Sequence, residues 1–118
     1  MSLVQDQVSG LFISLMSIMG RPETKFSQEG TYYAVSQDLV SWSEPTLLRA
    51  APLPWTHSCE AETAESYPSL IDHAAPDRNF SKISAGPELY LYYTESTFAG
   101  CGASKDRKLL SRPVRITR

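Results

Sequence analysis

The feature that most constrains the fold is a succession of short runs rich in β-branched and aromatic residues, each closed by glycine, proline or a polar turn. The clearest run is Leu89–Thr94, in which three tyrosines stand among leucines and threonine. The other segments predicted as strands are Leu11–Met19, Thr31–Ser36, Thr46–Arg49, Tyr67–Ile71 and Leu109–Ile116. Length alone allows Leu11–Met19 to be a short helix, but we predict a strand. With about six such strands and no convincing helix, the predicted class is all-β.

Composition and charge narrow the possible partners. The chain has 118 residues, is 42% hydrophobic and carries a formal net charge of −2. Binding to nucleic acid or to an anionic membrane requires a clear basic excess, so neither partner is expected. The segment Gly100-Cys101-Gly102 lacks the lysine and hydroxyl residue of a phosphate loop, and no cofactor is expected.

Basic residues gather near the C-terminal end, at Lys105, Arg107, Lys108, Arg112, Arg115 and Arg118. Charges alternating along an exposed edge strand oppose aggregation, and this is the predicted role of the cluster. An anion-binding site is the alternative.

The motif Ser36-Gln37-Asp38-Leu39-Val40-Ser41-Trp42 predicts a tight turn between two strands. Ser36 and Asp38 lie two residues apart, so that each side chain can accept hydrogen bonds from backbone N–H groups of the turn. Trp42 is expected to fold over this turn, with its indole N–H available to a partner. We therefore assign Ser36, Asp38 and Trp42 to a structural turn.

Several motifs occur in an order that resembles the C-terminal part of five-bladed β-propellers of the glycoside hydrolase family 43 and family 32 type. They are the Ser36–Ser43 turn, Tyr67-Pro68-Ser69-Leu70-Ile71-Asp72, Asn79-Phe80, Leu89–Thr94 and the closing Leu109–Val114. The resemblance implies an incomplete propeller of about two blades, with residues 1–54 forming one blade-like half and residues 55–118 the final one. It also implies a parent protein that hydrolyses glycosidic bonds with two carboxylates.

The resemblance assigns no catalytic or metal-binding residue to this chain, because the catalytic carboxylates of the family lie on earlier blades. The isolated chain is therefore expected to be inactive, with carbohydrate as its partner. The first strand of each such blade lines a central funnel, which implies that Tyr67 stacks on a sugar and that Ser69 bonds its hydroxyls. Glu65 is also expected to contact the sugar, if the acidic loop that carries it folds over the funnel. The alternative is that Tyr67 is a core aromatic and Ser69 a small packing residue.

Chain length conflicts with a closed propeller, which needs at least four blades of about 40 residues each. The chain is then either a fragment, or open sheet edges are covered by a partner or by self-association. The competing interpretation is a small, non-catalytic β-sandwich that binds sugar or protein on a platform of Trp55, Tyr67 and Tyr90. A truncated product without function is a third interpretation.

Localisation is left open. No apolar run reaches the roughly 18 residues of a membrane span, and no signal peptide is predicted. The resemblance implies a parent that is extracellular or periplasmic.

The remaining titratable residues form no recognisable site. His57, Cys59, His73 and Cys101 could ligate zinc only if all four met, and their spacing matches no common zinc motif. Free thiols are the default expectation for the two cysteines, with a Cys59–Cys101 disulfide as the alternative. Glu60, Glu62, Glu65 and Asp72 could supply a catalytic carboxylate pair, but a solvated acidic loop is the simpler expectation.

Overall fold

The computed structural model describes residues 2–21, 23–55, 63–86, 88–99, 101 and 104–117. Within these residues the chain forms strands and no helix, which confirms the all-β class. The strands are β1 (Ser2–Asp6), β2 (Phe12–Ile18), β3 (Gly30–Ser36), β4 (Thr46–Ala50), β5 (Thr63–Asp72), β6 (Lys82–Ile83), β7 (Leu89–Phe98) and β8 (Ser104–Pro113). No helix that could span a membrane is found among the described residues.

The first sheet has the strand order β4-β3-β2-β1-β6. Strands β1 to β4 form an antiparallel meander in chain order, and β6 adds to the free side of β1 as a short parallel strand. The β3 strand lies between two neighbours, and its residues are buried or half-buried. Gly30 at its start has a φ of 156°, and a Cβ there would lie 2.2 Å from the Arg49 carbonyl oxygen. Only glycine therefore lets β3 and β4 approach this closely.

The second sheet has the order β5-β7-β8 and is antiparallel throughout. Strand β7 lies at its centre, between two ten-residue strands. Strand β5 is an edge strand, which accommodates Pro68 because an edge position requires fewer backbone donors. One face of this sheet packs on the first sheet, and the other is called the outer face below.

The two sheets share one hydrophobic core, in which β5 contacts β1 and β2. Its buried members are Val4, Ile13, Leu15, Leu70, Ile83, Leu89, Leu91 and Tyr93. Both sheets contribute to this list, so that each covers apolar surface of the other. Burial of this kind is the main stabilising term in a domain of this size.

The predicted strands are present, but the sequence-based prediction missed others. Strand β1 was not predicted because Ser2–Asp6 is short and carries polar residues. Strand β6 lies in a segment between Asp72 and Gly86 for which no strand was predicted. The prediction of an irregular segment up to Glu65 was also wrong at its end, because β5 begins at Thr63. Finally, β8 begins earlier than predicted and ends at Pro113, so the prediction of a strand through Val114–Ile116 was wrong.

Candidate functional site

The outer face of the second sheet carries aromatic side chains on its central strand. In the strand register, Tyr92 lies opposite Ser69 of β5 and Tyr90 lies opposite Ile71. On the other side, these tyrosines face Ser111 and Pro113 of β8. Ser69, Ile71, Tyr90 and Tyr92 are half-buried, and the β8 residues are exposed. The face therefore combines apolar area with hydroxyl groups and remains open to solvent.

Tyr67 lies at a β-bulge of β5, two residues before Ser69. Two residues of β5, Tyr67 and Pro68, oppose the single residue Tyr93 between the pairs Ser66–Thr94 and Ser69–Tyr92. Tyr67 has a φ of 55° and is 72% exposed. A non-glycine residue in this conformation costs about 1–3 kcal/mol, and a residue before proline prefers an extended backbone. Bulges redirect side chains, and here the bulge places an aromatic ring in solvent.

His73 extends the aromatic cluster at the end of β5. Its ring stacks on Tyr90, with centroids 4.6 Å apart and planes inclined by 19°. Its Nε2 lies 2.7 Å from the Tyr92 hydroxyl, and its backbone N–H donates to the Glu88 carbonyl. The imidazole thus orients both rings. From the sequence, His73 was predicted only as a possible metal ligand, although its position just beyond the β5 strand was a usable signal.

In the strand register Glu65 lies opposite Glu95 and Ser69 lies opposite Tyr92, which places Glu65 and Ser69 on opposite faces of the sheet. Its carboxylate accepts two hydrogen bonds from Arg49 of β4, at 2.7 Å from Nε and 3.0 Å from Nη2. Arg49 also lies 5.1 Å over the ring of Tyr93, a member of the shared core. The hydrogen bonds to the Glu65 carboxylate raise the pKa of Arg49. Because both of its oxygens bind Arg49, Glu65 links the two sheets, and its role as a sugar ligand stays a prediction.

The Ser36–Trp42 turn is built from hydrogen bonds to two side chains. Ser36 Oγ accepts from the backbone N–H of Asp38 and Leu39, at 3.2 and 2.9 Å. Asp38 Oδ1 accepts from Val40 and Ser41. The N–H groups of Ser41 and Val40 hold the pKa of Asp38 below its ordinary value. Both side chains are thus occupied within the turn.

Trp42 folds back over this turn. Its Nε1 donates to the carbonyl of Leu39, 3.3 Å away, and Trp42 forms an isolated bridge with Ser36. Leu39 has a φ of 67°, which the turn requires. The indole closes the turn while staying 40% exposed at the end of the first sheet.

Asp72 is fully buried at the end of β5 and is held by local donors. Its oxygens accept hydrogen bonds from the N–H of Ala74 and from both the N–H and the hydroxyl of Ser84. Burial by itself raises the pKa of Asp72, but the hydrogen bonds from Ser84 and Ala74 outweigh it, and that pKa lies below the ordinary value. Asp6 and Asp77 likewise bind the hydroxyls of Ser9 and Ser81. These carboxylates organise loops.

An apolar cleft of about 630 Å³ opens between the two sheets. Residues 114–117 cover one side of it, and Asp6 and Ser9 lie at its polar end. Its apolar lining is contributed by Leu11, Ile13, Leu15, Tyr33, Val35, Leu48 and Leu70. The cleft continues the shared core and does not reach the outer face.

No group of three or more histidine, cysteine or acidic side chains among the described residues could hold a metal ion. Cys101 is disulfide-bonded, so the expectation of a free thiol was wrong for this residue. The other predicted metal-capable residues His57 and Cys59, and the acidic residues Glu60 and Glu62, lie outside the described residues. Trp55, proposed for a binding platform, is 58% exposed.

Comparisons with known proteins add no relative to this picture. No family model matches the chain. Searches of curated proteins and of solved structures also return no significant match. The function therefore has to be argued from the residues and their geometry.

Proposed function

We propose that this chain binds carbohydrate on the outer face of the second sheet and does not itself cleave it. The observation that carries this proposal is Tyr67, a large aromatic side chain held 72% exposed in a left-handed conformation on β5, two residues before Ser69, which pairs with Tyr92. Strain of this kind persists only where the surrounding structure enforces it, and it concentrates at functional sites.

The chemistry of the face suits a sugar. The apolar side of a pyranose or furanose ring stacks on an aromatic ring, while its hydroxyls need donors and acceptors at the rim. Tyr67 supplies the exposed ring in this proposal. Ser69, Tyr92 and His73 supply hydroxyl and imidazole groups, and the His73–Tyr92 hydrogen bond fixes the direction of both.

Hydrolysis would require two carboxylates on opposite sides of the scissile bond, about 5–10 Å apart. In the described part of the chain, Glu65 is bound to Arg49, and Asp72 is buried among Ser84 and Ala74. Neither is available as an acid or base. We propose that the catalytic carboxylates of a glycosidase-like parent lie outside this chain, as the resemblance to family 43 and 32 enzymes implies.

For the architecture, we infer two neighbouring propeller blades. In support, each sheet contains an antiparallel meander in chain order, and the first strands of the two meanders, β1 and β5, contact each other. A stand-alone β-sandwich is the second candidate, because the two sheets share one core. Sedimentation and thermal melting distinguish them: a cooperatively melting monomer favours the sandwich, and self-association with a broad melt favours missing blades.

Sugar binding is tested on an oligosaccharide array and by titration calorimetry, with Tyr67→Ala, Ser69→Ala and Tyr92→Phe. We expect Tyr67→Ala to weaken binding by about fivefold or more, since stacking contributes on the order of 1 kcal/mol or more. Val40→Ala is the matched control, because the Val40 side chain is 82% exposed in the turn of the first sheet. Absence of binding by the wild type, or equal binding by Tyr67→Ala, would contradict the proposal. Release of reducing ends by the purified chain would contradict its non-catalytic part.

A further inference from the structure

The outward edge of β8 is long. Strand β8 has ten residues and pairs only with β7 among the described residues. Seven of its residues, 106–109 and 111–113, are exposed. An edge of this length presents a row of backbone donors and acceptors to any extended chain that approaches it.

The backbone groups that face outward can be assigned. Just beyond β8, Val114 N–H donates to the Leu89 carbonyl of β7 at 3.0 Å. The register is regular from Pro113 back to Asp106, so alternate residues share this orientation. The backbone N–H groups of Arg107, Leu109 and Ser111 therefore point away from β7. Because the Arg107 N–H donates to Asp106 Oδ1 at 2.9 Å, the donors that an incoming strand can use are those of Leu109 and Ser111. Pro113, which has no N–H, occupies the next outward position.

The charge of this edge specifies the kind of partner. Arg107, Lys108 and Arg112 are exposed, and Arg115 follows just beyond the strand. Asp106 is the one acidic residue of β8. Leu109, between the charged residues, is 72% exposed. An incoming strand would therefore meet three cationic side chains and one apolar contact.

We propose that the outward edge of β8 is a docking site for an extended acidic segment of another protein, which adds to the second sheet as a fourth strand. Charge complementarity favours this occupant over a second copy of the chain. Two paired β8 strands would bring Arg107, Lys108 and Arg112 alongside the same cations of the other copy, and like charges on neighbouring strands destabilise the pair. The site uses backbone groups of the sheet edge and borders the outer face at Ser111 and Pro113.

The probe is a fluorescein-labelled peptide, Thr-Glu-Val-Thr-Val-Glu-Thr, whose symmetric order suits parallel and antiparallel addition. With its central threonine opposite Leu110, the two glutamates lie opposite Lys108 and Arg112, and the valines opposite Leu109 and Ser111. The control peptide carries lysine in place of glutamate. By fluorescence anisotropy, we expect the acidic peptide to bind at least about tenfold more tightly than the control, with affinity falling as salt is raised.

Two variants test the geometry. Ser111→Pro removes an outward N–H and leaves the β7–β8 hydrogen bonds intact, and should weaken acidic-peptide binding about tenfold, whereas Ser111→Ala should not. Lys108→Glu reverses one side-chain charge and leaves the backbone donors of β8 in place. It should shift the binding preference toward the lysine peptide. Equal binding of both peptides, unchanged binding by Ser111→Pro, or an unchanged preference in Lys108→Glu would overturn the proposal. So would self-association through β8 that the acidic peptide does not displace.

Discussion

The two sheets contain similar aromatic strands, but they differ in how far the tyrosine side chains are exposed. In the first sheet, Tyr32 is 4% exposed, its ring meets Phe26 edge-on at 5.6 Å, and its hydroxyl donates to the carbonyl of Gln28. In the second sheet, Tyr90 and Tyr92 lie on a central strand but remain half-exposed on the outer face. Strand composition does not separate these cases. What separates them is whether a neighbouring segment covers the face, and the uncovered sheet is therefore the one that can bind a ligand.

The largest effect is expected in the hydrophobic core that the two sheets share. Leu15 of the first sheet and Leu91 of the second are both nearly inaccessible members of it. Replacing either by alanine should destabilise the fold by about 2–5 kcal/mol, measured by urea denaturation. Both variants should unfold in one transition, and Leu109→Ala should stay within about 0.5 kcal/mol of the wild type. Two separate transitions would show that the sheets fold independently.

A smaller loss of stability is expected when the Asp72 carboxylate, which binds backbone N–H groups of the loop after β5, is replaced. Asp72→Asn turns an acceptor of three hydrogen bonds into a partial donor and should cost about 1–3 kcal/mol. The folded pKa of Asp72 is lowered, so its stabilisation is complete above the ordinary aspartate value of about 3.9 and is lost as pH falls through the folded value.

Stability measured against pH checks this prediction. The acid limb of the wild-type curve should be steeper than that of Asp72→Asn, and the two curves should converge at low pH. Parallel curves over the whole acid range would contradict the assignment.

The link between the sheets is examined by a double-mutant cycle on Arg49→Met and Glu65→Gln. The pair is bidentate and its side chains are 30% and 12% exposed, so we expect a coupling of about 1 kcal/mol, moderated by solvent. Thermal melting of the four proteins measures it. Zero coupling would show that the core alone joins the sheets and would release Glu65 for another role.

The smallest effect is expected in the turn of the first sheet. Ser36→Ala removes the acceptor of two backbone N–H groups and should cost about 0.5–1.5 kcal/mol, seen as a lower melting temperature. Ser41→Ala is the control, because the turn uses only the backbone N–H of that residue. Equal melting temperatures for both variants would mean that the indole of Trp42 maintains the turn.

The sequence predicted local features better than contacts between distant segments. The class, strand β7 and the residue types of the Ser36–Trp42 turn follow from propensity and from side chains that reach their own backbone. The Arg49–Glu65 pair and the His73–Tyr90 stack depend on strand register and sheet packing, which single residues do not encode. The bulge at Tyr67 was likewise not predicted, because neither tyrosine nor a following proline favours a left-handed backbone conformation.

The crossing of β6 to the first sheet has a consequence for biosynthesis. Strand β1 acquires its second neighbour only through Lys82 and Ile83, and the side chains of Gln5 and Lys82 meet across 77 positions of the chain. During translation, the N-terminal sheet thus leaves the ribosome with one flank vacant until the later segment emerges. Contacts of such separation slow folding. Any nascent chain arrested before residue 82 would expose β1 to the chaperones and proteases that survey unfinished proteins.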